Sequence, residues 1–239
     1  MYEQAKELLK KYYGYDDFRE GQDTIIKSVL EGQDTLGIMP TGGGKSICYQ
    51  IPALLLPGTT LVISPLISLM KDQVDALDSL GIPSTYINSS LTYKQVEKRI
   101  NEARLGKYKL LYIAPERLES EEFFSLLQSL EVSMVAVDEA HCISQWGHDF
   151  RTSYLSIAPL LEKLSSRPVL SAFTATATPE VSTDIVKLLS LRTPNVYIRG
   201  FDRPNLSFTI LRGENKKRLH SPLRGSKQGS GRDYLCCNA

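Results

Sequence analysis

The chain reads as an α/β domain with a mainly parallel sheet and helices on both faces. Three observations predict this. Short apolar runs rich in β-branched residues alternate with longer segments of helical period along most of the 239 residues. The runs are almost continuously hydrophobic, as strands buried on both faces require. The stretches richest in chemistry, residues 42–45, 138–141 and 174–178, each follow such a run directly. Open parallel sheets bind their ligands at that end of their strands.

Each element has its own signature. Residues 2–13 place Ala5, Leu8, Leu9 and Tyr12 on one face of a helix. A turn at 14–17 leads through Phe18-Arg19-Glu20-Gly21-Gln22 into a helix over 22–31, which turns Ile25, Ile26, Val29 and Leu30 inward and stops at Gly32. A strand at 35–39 meets Met39-Pro40-Thr41-Gly42-Gly43-Gly44-Lys45-Ser46, and a helix over 47–56 follows despite Pro52. Strand 60–64 precedes helix 66–80; a weaker strand at 84–88 precedes helix 93–105; strand 109–114 precedes helix 121–130. The apolar strand 132–137 runs into Asp138-Glu139-Ala140-His141, a loop with the only tryptophan, and a helix over 154–164. Strand 168–173 runs into Thr174-Ala175-Thr176-Ala177-Thr178 and helix 179–189, and short strands at 196–198 and 206–210 close the series. From Glu214 onward no apolar period remains, and glycine and serine recur. The expected division is therefore a domain over 1–212 and a tail or linker over 213–239.

Composition bounds the answer. Hydrophobic content of 42% with 23% charged residues is ordinary for a soluble globular protein. No apolar run is long enough to span a membrane and no signal-peptide core opens the chain, so the cytoplasm is the expected compartment. Cys48, Cys142, Cys236 and Cys237 lack metal-ligand spacing, so reduced thiols without zinc are expected. The net charge of +1 hides an excess of four positive charges over residues 214–239. Bulk charge therefore gives no argument for nucleic acid, which must come from local sites.

The strand–turn–helix around Gly42, Gly43 and Gly44 reads as a phosphate-binding loop. Successive glycines let backbone N–H groups point inward, and the helix N-terminus adds partial positive charge. Lys45 would reach the outer phosphates and the Ser46 hydroxyl would hold Mg²⁺. Met39 stands where the usual pattern has its first glycine. Asp138, at the end of a buried strand, suits a carboxylate that orients Mg²⁺ through water, and Glu139 beside it can take a proton from attacking water.

These motifs resemble the first motor domain of a superfamily 2 helicase, and more finely the RecQ-type DNA helicases. The resemblance rests on residues 15–22, 40–46, 64–73, 138–151, 174–176 and 200–206, and covers roughly 1–212. It implies a RecA-like fold, ATP and Mg²⁺ as cofactors, and single-stranded or 3′-tailed duplex DNA as partner. It implies nucleotide contacts for Thr41, Gly42, Gly43, Gly44, Lys45 and Ser46, with Tyr15 stacking on adenine and Gln22 reading its edge. Arg19 would contact the nucleotide or tie down the loop. His141 and Gln145 would lie between the γ-phosphate and the DNA path. Trp146, Phe150 and Arg151 would face single-stranded DNA, and Thr174 and Thr176 would link hydrolysis to domain movement. Core packing is the competing role for Tyr15 and Trp146, and helix capping for the threonines. Thr152-Ser153 departs from the family's Pro-acid pair. Such a helicase continues into a second motor domain carrying an arginine finger, so the chain is expected to be the N-terminal part only and not to unwind DNA by itself.

Overall fold

The computed structural model describes residues 1–164 and 166–200. Among the described residues seven strands form one sheet in the order β3-β4-β2-β5-β6-β1-β7, and each pairing there is parallel. They are β1 (Thr35–Ile38), β2 (Thr59–Ile63), β3 (Ser84–Ile87), β4 (Leu110–Ile113), β5 (Val132–Val137), β6 (Val169–Thr174) and β7 (Asn195–Ile198). Strand alternation sends Leu61, Ile63, Leu111, Ile113, Val135 and Val137 to one face, and Val62, Leu110, Tyr112, Met134 and Ala136 to the other. The first face packs on α5 (Tyr93–Arg104), α6 (Glu121–Gln128), α7 (Ile157–Leu161) and α8 (Pro179–Leu188). The second packs on α2 (Gln22–Leu30), α3 (Lys45–Leu55) and α4 (Ile67–Ser79). Outside that layer α1 (Tyr2–Tyr13) buries Ala5 and Leu9 against Ile26 and Ile51.

The expected elements form with small shifts at their ends, and one differs in kind. The segment expected as a helix over 154–164 is a 3-10 turn, Thr152–Ser156, followed by the five-residue α7. Pro159 is the reason. Its ring would clash with the Leu155 carbonyl of a continuous helix and it has no N–H to offer, so it fits only the first turn. The expected strand at 206–210 and the boundary at 212 lie outside the described residues. No helix among the described residues is long and apolar enough to cross a membrane.

Candidate active site

The phosphate loop leaves β1 between neighbours β6 and β7. Met39 continues the strand, donating its N–H to the Thr174 carbonyl at 3.0 Å, and its side chain is fully buried. That explains the missing first glycine: position 39 still bonds to β6 just past the end of β1, with its side chain in the core. Gly42 and Gly44 then adopt φ of 78° and 81°, which a side chain would oppose. Gly44 caps α3. Lys45 Nζ donates to the Met39 carbonyl at 3.2 Å, so the ammonium is held across the loop's mouth.

Arg19, just before α2, and Gln22, its first residue, brace this loop. Arg19 Nη1 donates to the Gly42 carbonyl at 2.9 Å, and Gln22 Nε2 donates to the Gly44 carbonyl at 3.1 Å. Gln22 Oε1 accepts the Arg19 N–H at 2.8 Å. The Arg19 bond ties down the loop. Gln22 is buried with both ends of its amide bound to backbone. Tyr15 is 53% exposed, so core packing is not its role. Its loop is clipped to α1 by Lys6–Asp17 at 2.6 Å and Lys10–Asp16 at 2.8 Å.

Facing the loop, Asp138 directly follows β5. A cleft of about 330 Å³ joins Thr41, Lys45 and Ser46 to Asp138 and Glu139. Burial pushes the Asp138 carboxyl up to about 6; neighbouring Glu139 adds to the shift, and Lys45 opposes it. Asp138 Oδ1 accepts the Glu139 N–H at 3.0 Å, and the Asp138 carbonyl accepts the Tyr154 hydroxyl at 2.9 Å. The peptide between the two acids is thus held at both ends. Glu139 sits in the left-handed region, φ 46°, a strained conformation that such pinning can sustain. A buried carboxylate, a serine hydroxyl and a lysine around a glycine cradle fit a hard divalent cation and a polyphosphate.

His141 links this cleft to the tryptophan loop. Its Nδ1 lies 2.8 Å from Thr174 Oγ1 and 3.3 Å from Glu139 Oε2. Its ring stacks on His148, centroids 4.2 Å apart. Burial is the main reason the His141 pKa falls below its ordinary value, which favours the neutral ring. Thr174 Oγ1 donates to the Thr176 carbonyl at 3.0 Å, and the α8 cap is Thr178, so Thr174 does not cap that helix. Trp146 is 79% exposed, its N–H held by Ser144 Oγ at 3.2 Å. It lines a shallow cleft with His148 and Thr176. Arg151 pairs with Asp149 at 3.0 Å and reaches the Pro65 carbonyl at 3.3 Å. Gln145 is exposed, and Phe150 is half-buried.

Sequence reasoning missed the polar layer beneath the cleft. Gln50 receives the Tyr13 hydroxyl at 2.9 Å, and donates to Gln73 at 2.9 Å and the Tyr112 hydroxyl at 3.1 Å. These residues come from separate elements, and no local pattern marks them. Tyr154 was missed as well, and Ser64, within the matched stretch 64–73, was given no role of its own. Cys48 and Cys142 are free and buried, their thiols pushed up to about 12 by burial; Cys236 and Cys237 lie outside the described residues.

Known proteins resemble this chain in sequence and in fold. The profile of the DEAD/DEAH box helicases matches residues 19–185. The ATP-dependent DNA helicase RecQ of Bacillus subtilis (strain 168) is 57% identical over 220 residues, covering 92% of this chain and 37% of that protein. The one from Pasteurella multocida (strain Pm70) is 48% identical over 238 residues, covering 98% and 37%. The crystal structure of the DUF1998 helicase MrfA bound to DNA matches with a TM-score of 0.65 at 20% identity, covering 81% of this chain and 29% of that one, a likeness of fold. The chain thus spans about 37% of the length of the RecQ relatives it matches. Its fold is that of the RecA-like helicase domains, and the chain belongs to the DEAD/DEAH box helicase family.

Proposed function

We propose that the chain is the N-terminal motor domain of a RecQ-type, ATP-dependent 3′–5′ DNA helicase serving recombination and repair in the cytoplasm, at the nucleoid in a bacterium. The observation that carries this reading is His141. One of its nitrogens touches both Glu139 and Thr174, while its ring stacks on His148 of the loop that exposes Trp146. One side chain therefore joins the carboxylates to the loop that carries the exposed aromatic.

In this reading Mg²⁺ supplies charge neutralisation on the phosphates, held by Ser46 and by Asp138. Residues 41–46 cradle the β- and γ-phosphates, Glu139 takes the proton of the attacking water, and Tyr15 stacks on adenine. Gln22 reads the adenine edge by exchanging a bond it now makes to the loop. Trp146, Phe150 and Arg151 hold single-stranded DNA by stacking and charge. In this reading a second motor domain would complete the cleft with an arginine worth about 10³–10⁵ in rate, and the cleft described above is the half that binds nucleotide.

Titration with a fluorescent ATP analogue and Mg²⁺, and separately with oligo-dT and oligo-U, tests the proposal. Lys45→Ala should weaken nucleotide binding at least about 10-fold, since a charge-assisted bond contributes roughly 1.5–3 kcal/mol. Its affinity for oligo-dT should stay unchanged. Equal nucleotide affinity in Lys45→Ala would remove this loop from the site. Tighter binding of oligo-U would favour an RNA helicase instead.

A further inference from the structure

Ser64 follows β2, where Ile63 pairs with Val137 of β5 and the Asp138 N–H donates to the Ile63 carbonyl at 2.8 Å. Ser64 and Asp138 are thus the next residues on adjacent strands, which lie about 4.8 Å apart. Alternation sends both to the same face, since Val62 and Ala136 point there and Ile63 and Val137 point away. That face carries α3, with Ser46 in its first turn. Ser64 is 2% exposed, and its hydroxyl has no hydrogen-bond partner among the described residues. Four other side chains hold such an orphaned buried atom: Thr60, Ser84, Asn88 and Ser171. None of these lines the cleft of Lys45, Ser46 and Asp138, whereas Ser64 does.

A buried hydroxyl without a partner costs about 1–3 kcal/mol. Its position beside a buried carboxylate and across from a serine hydroxyl supplies what it lacks. Mg²⁺ dehydrates reluctantly and keeps several waters, and those waters need protein oxygens to orient them. We propose that Ser64 is a positioning residue for the metal–nucleotide complex, its hydroxyl holding a water of the Mg²⁺ shell alongside Asp138. This rests on the nucleotide reading of the cleft and adds a residue to it.

The test compares wild type, Ser64→Ala and Ser171→Ala in the full 239-residue chain. Ser171→Ala removes an equally orphaned hydroxyl within β6, away from the cleft. Mg²⁺ is titrated against the fluorescence of a bound ATP analogue, the unfolding midpoint is measured without ligand, and metal-free nucleotide binding is measured in EDTA. Loss of an outer-shell partner costs about 10–100-fold in metal affinity. Ser64→Ala should therefore raise the Mg²⁺ concentration for half-maximal binding about 10-fold. Its binding in EDTA should equal wild type, and its unfolding midpoint should be equal or higher, because an unsatisfied group has gone. Ser171→Ala should match wild type in Mg²⁺ requirement. An unchanged Mg²⁺ requirement in Ser64→Ala, or an equal rise in Ser171→Ala, overturns the role of Ser64 while leaving the cleft intact as a nucleotide site. Wild type that binds no nucleotide with or without Mg²⁺ overturns the nucleotide reading, and this inference with it.

Discussion

Asp138 shows what the site asks of one side chain. A carboxylate kept dry enough to seize a cation is destabilising to the fold when no cation is there. Its pKa stands at about 6, raised mainly by burial, against an ordinary 3.8. Because the folded value is the higher one, the associated stability is fully present below about pH 4 and is lost as pH rises through about 6. A shift of this size corresponds to at most on the order of 3 kcal/mol. Asp138→Asn mimics the neutral form and keeps the oxygen that accepts the Glu139 N–H. In EDTA, Asp138→Asn should be more stable than wild type at pH 7.5, by a margin that shrinks to about a third near pH 4.5, as read by urea unfolding. An Asp138→Asn less stable than wild type at pH 7.5 would mean that the carboxylate is compensated inside the metal-free fold. Its metal-dependent nucleotide binding should be lost at both pH values.

At the scale of elements, close approach of backbones does the positioning. The Gly21 Cα faces the tip of the Tyr197 ring, so a Cβ there would lie 2.0 Å from ring atoms, and φ of 84° also demands glycine. Gln22 beside it presses on Gly44, where a Cβ would meet Nε2 at 2.2 Å. The edge strand β7 is thus two contacts from the phosphate loop: Tyr197 on Gly21, then Gln22 on Gly44. Tyr197→Ala should free the start of α2 and weaken ATP binding about 5-fold, the equivalent of ~1 kcal/mol. Val196→Ala, on the exposed side of the same strand, should bind as wild type. Equal affinity in both would confine Tyr197 to packing. Neither contact was legible in the sequence, because each joins residues brought together only by tertiary packing. What could be read was local: the period of each strand and helix, the glycine turn, and the acids placed directly after β5. The expected helix over 154–164 failed for the opposite reason, since Pro159 is a local signal that outweighs the apolar period around it. Trp146 was legible as a choice between core and surface, and the structure puts it on the surface.

For the whole molecule, the two edges of the sheet are specialised differently. Every residue of the candidate site that a strand positions lies at the carboxyl edge, while the amino edge converges on Asp34. This side chain is 2% exposed and accepts both Arg167 guanidinium nitrogens, at 3.1 and 2.6 Å. It also accepts the N–H groups of Leu170 at 2.9 Å and Arg192 at 2.7 Å. With its carbonyl accepting the Asn195 N–H at 2.9 Å, this one residue ties the starts of β1, β6 and β7. It also holds the turn in which Ser190 and Thr193 adopt positive φ without being glycine, helped by the Arg167 bond to the Ser190 carbonyl at 3.1 Å. Removing one member of a buried pair costs about 3–5 kcal/mol because the other is left uncompensated. Arg167 is a quarter exposed, so solvent recovers part of that cost and the lower end applies. Asp34→Ala should lose about 3 kcal/mol, a fall of roughly 10 °C in unfolding midpoint for a domain of this size. Asp34→Asn keeps one acceptor oxygen and should fall between Asp34→Ala and wild type. Nucleotide affinity measured well below the lowered midpoint should not change, because no contact of Asp34 reaches the cleft. If affinity fell in step with stability, the two edges of the sheet would be mechanically coupled, and the amino edge would belong to the motor rather than only to its frame.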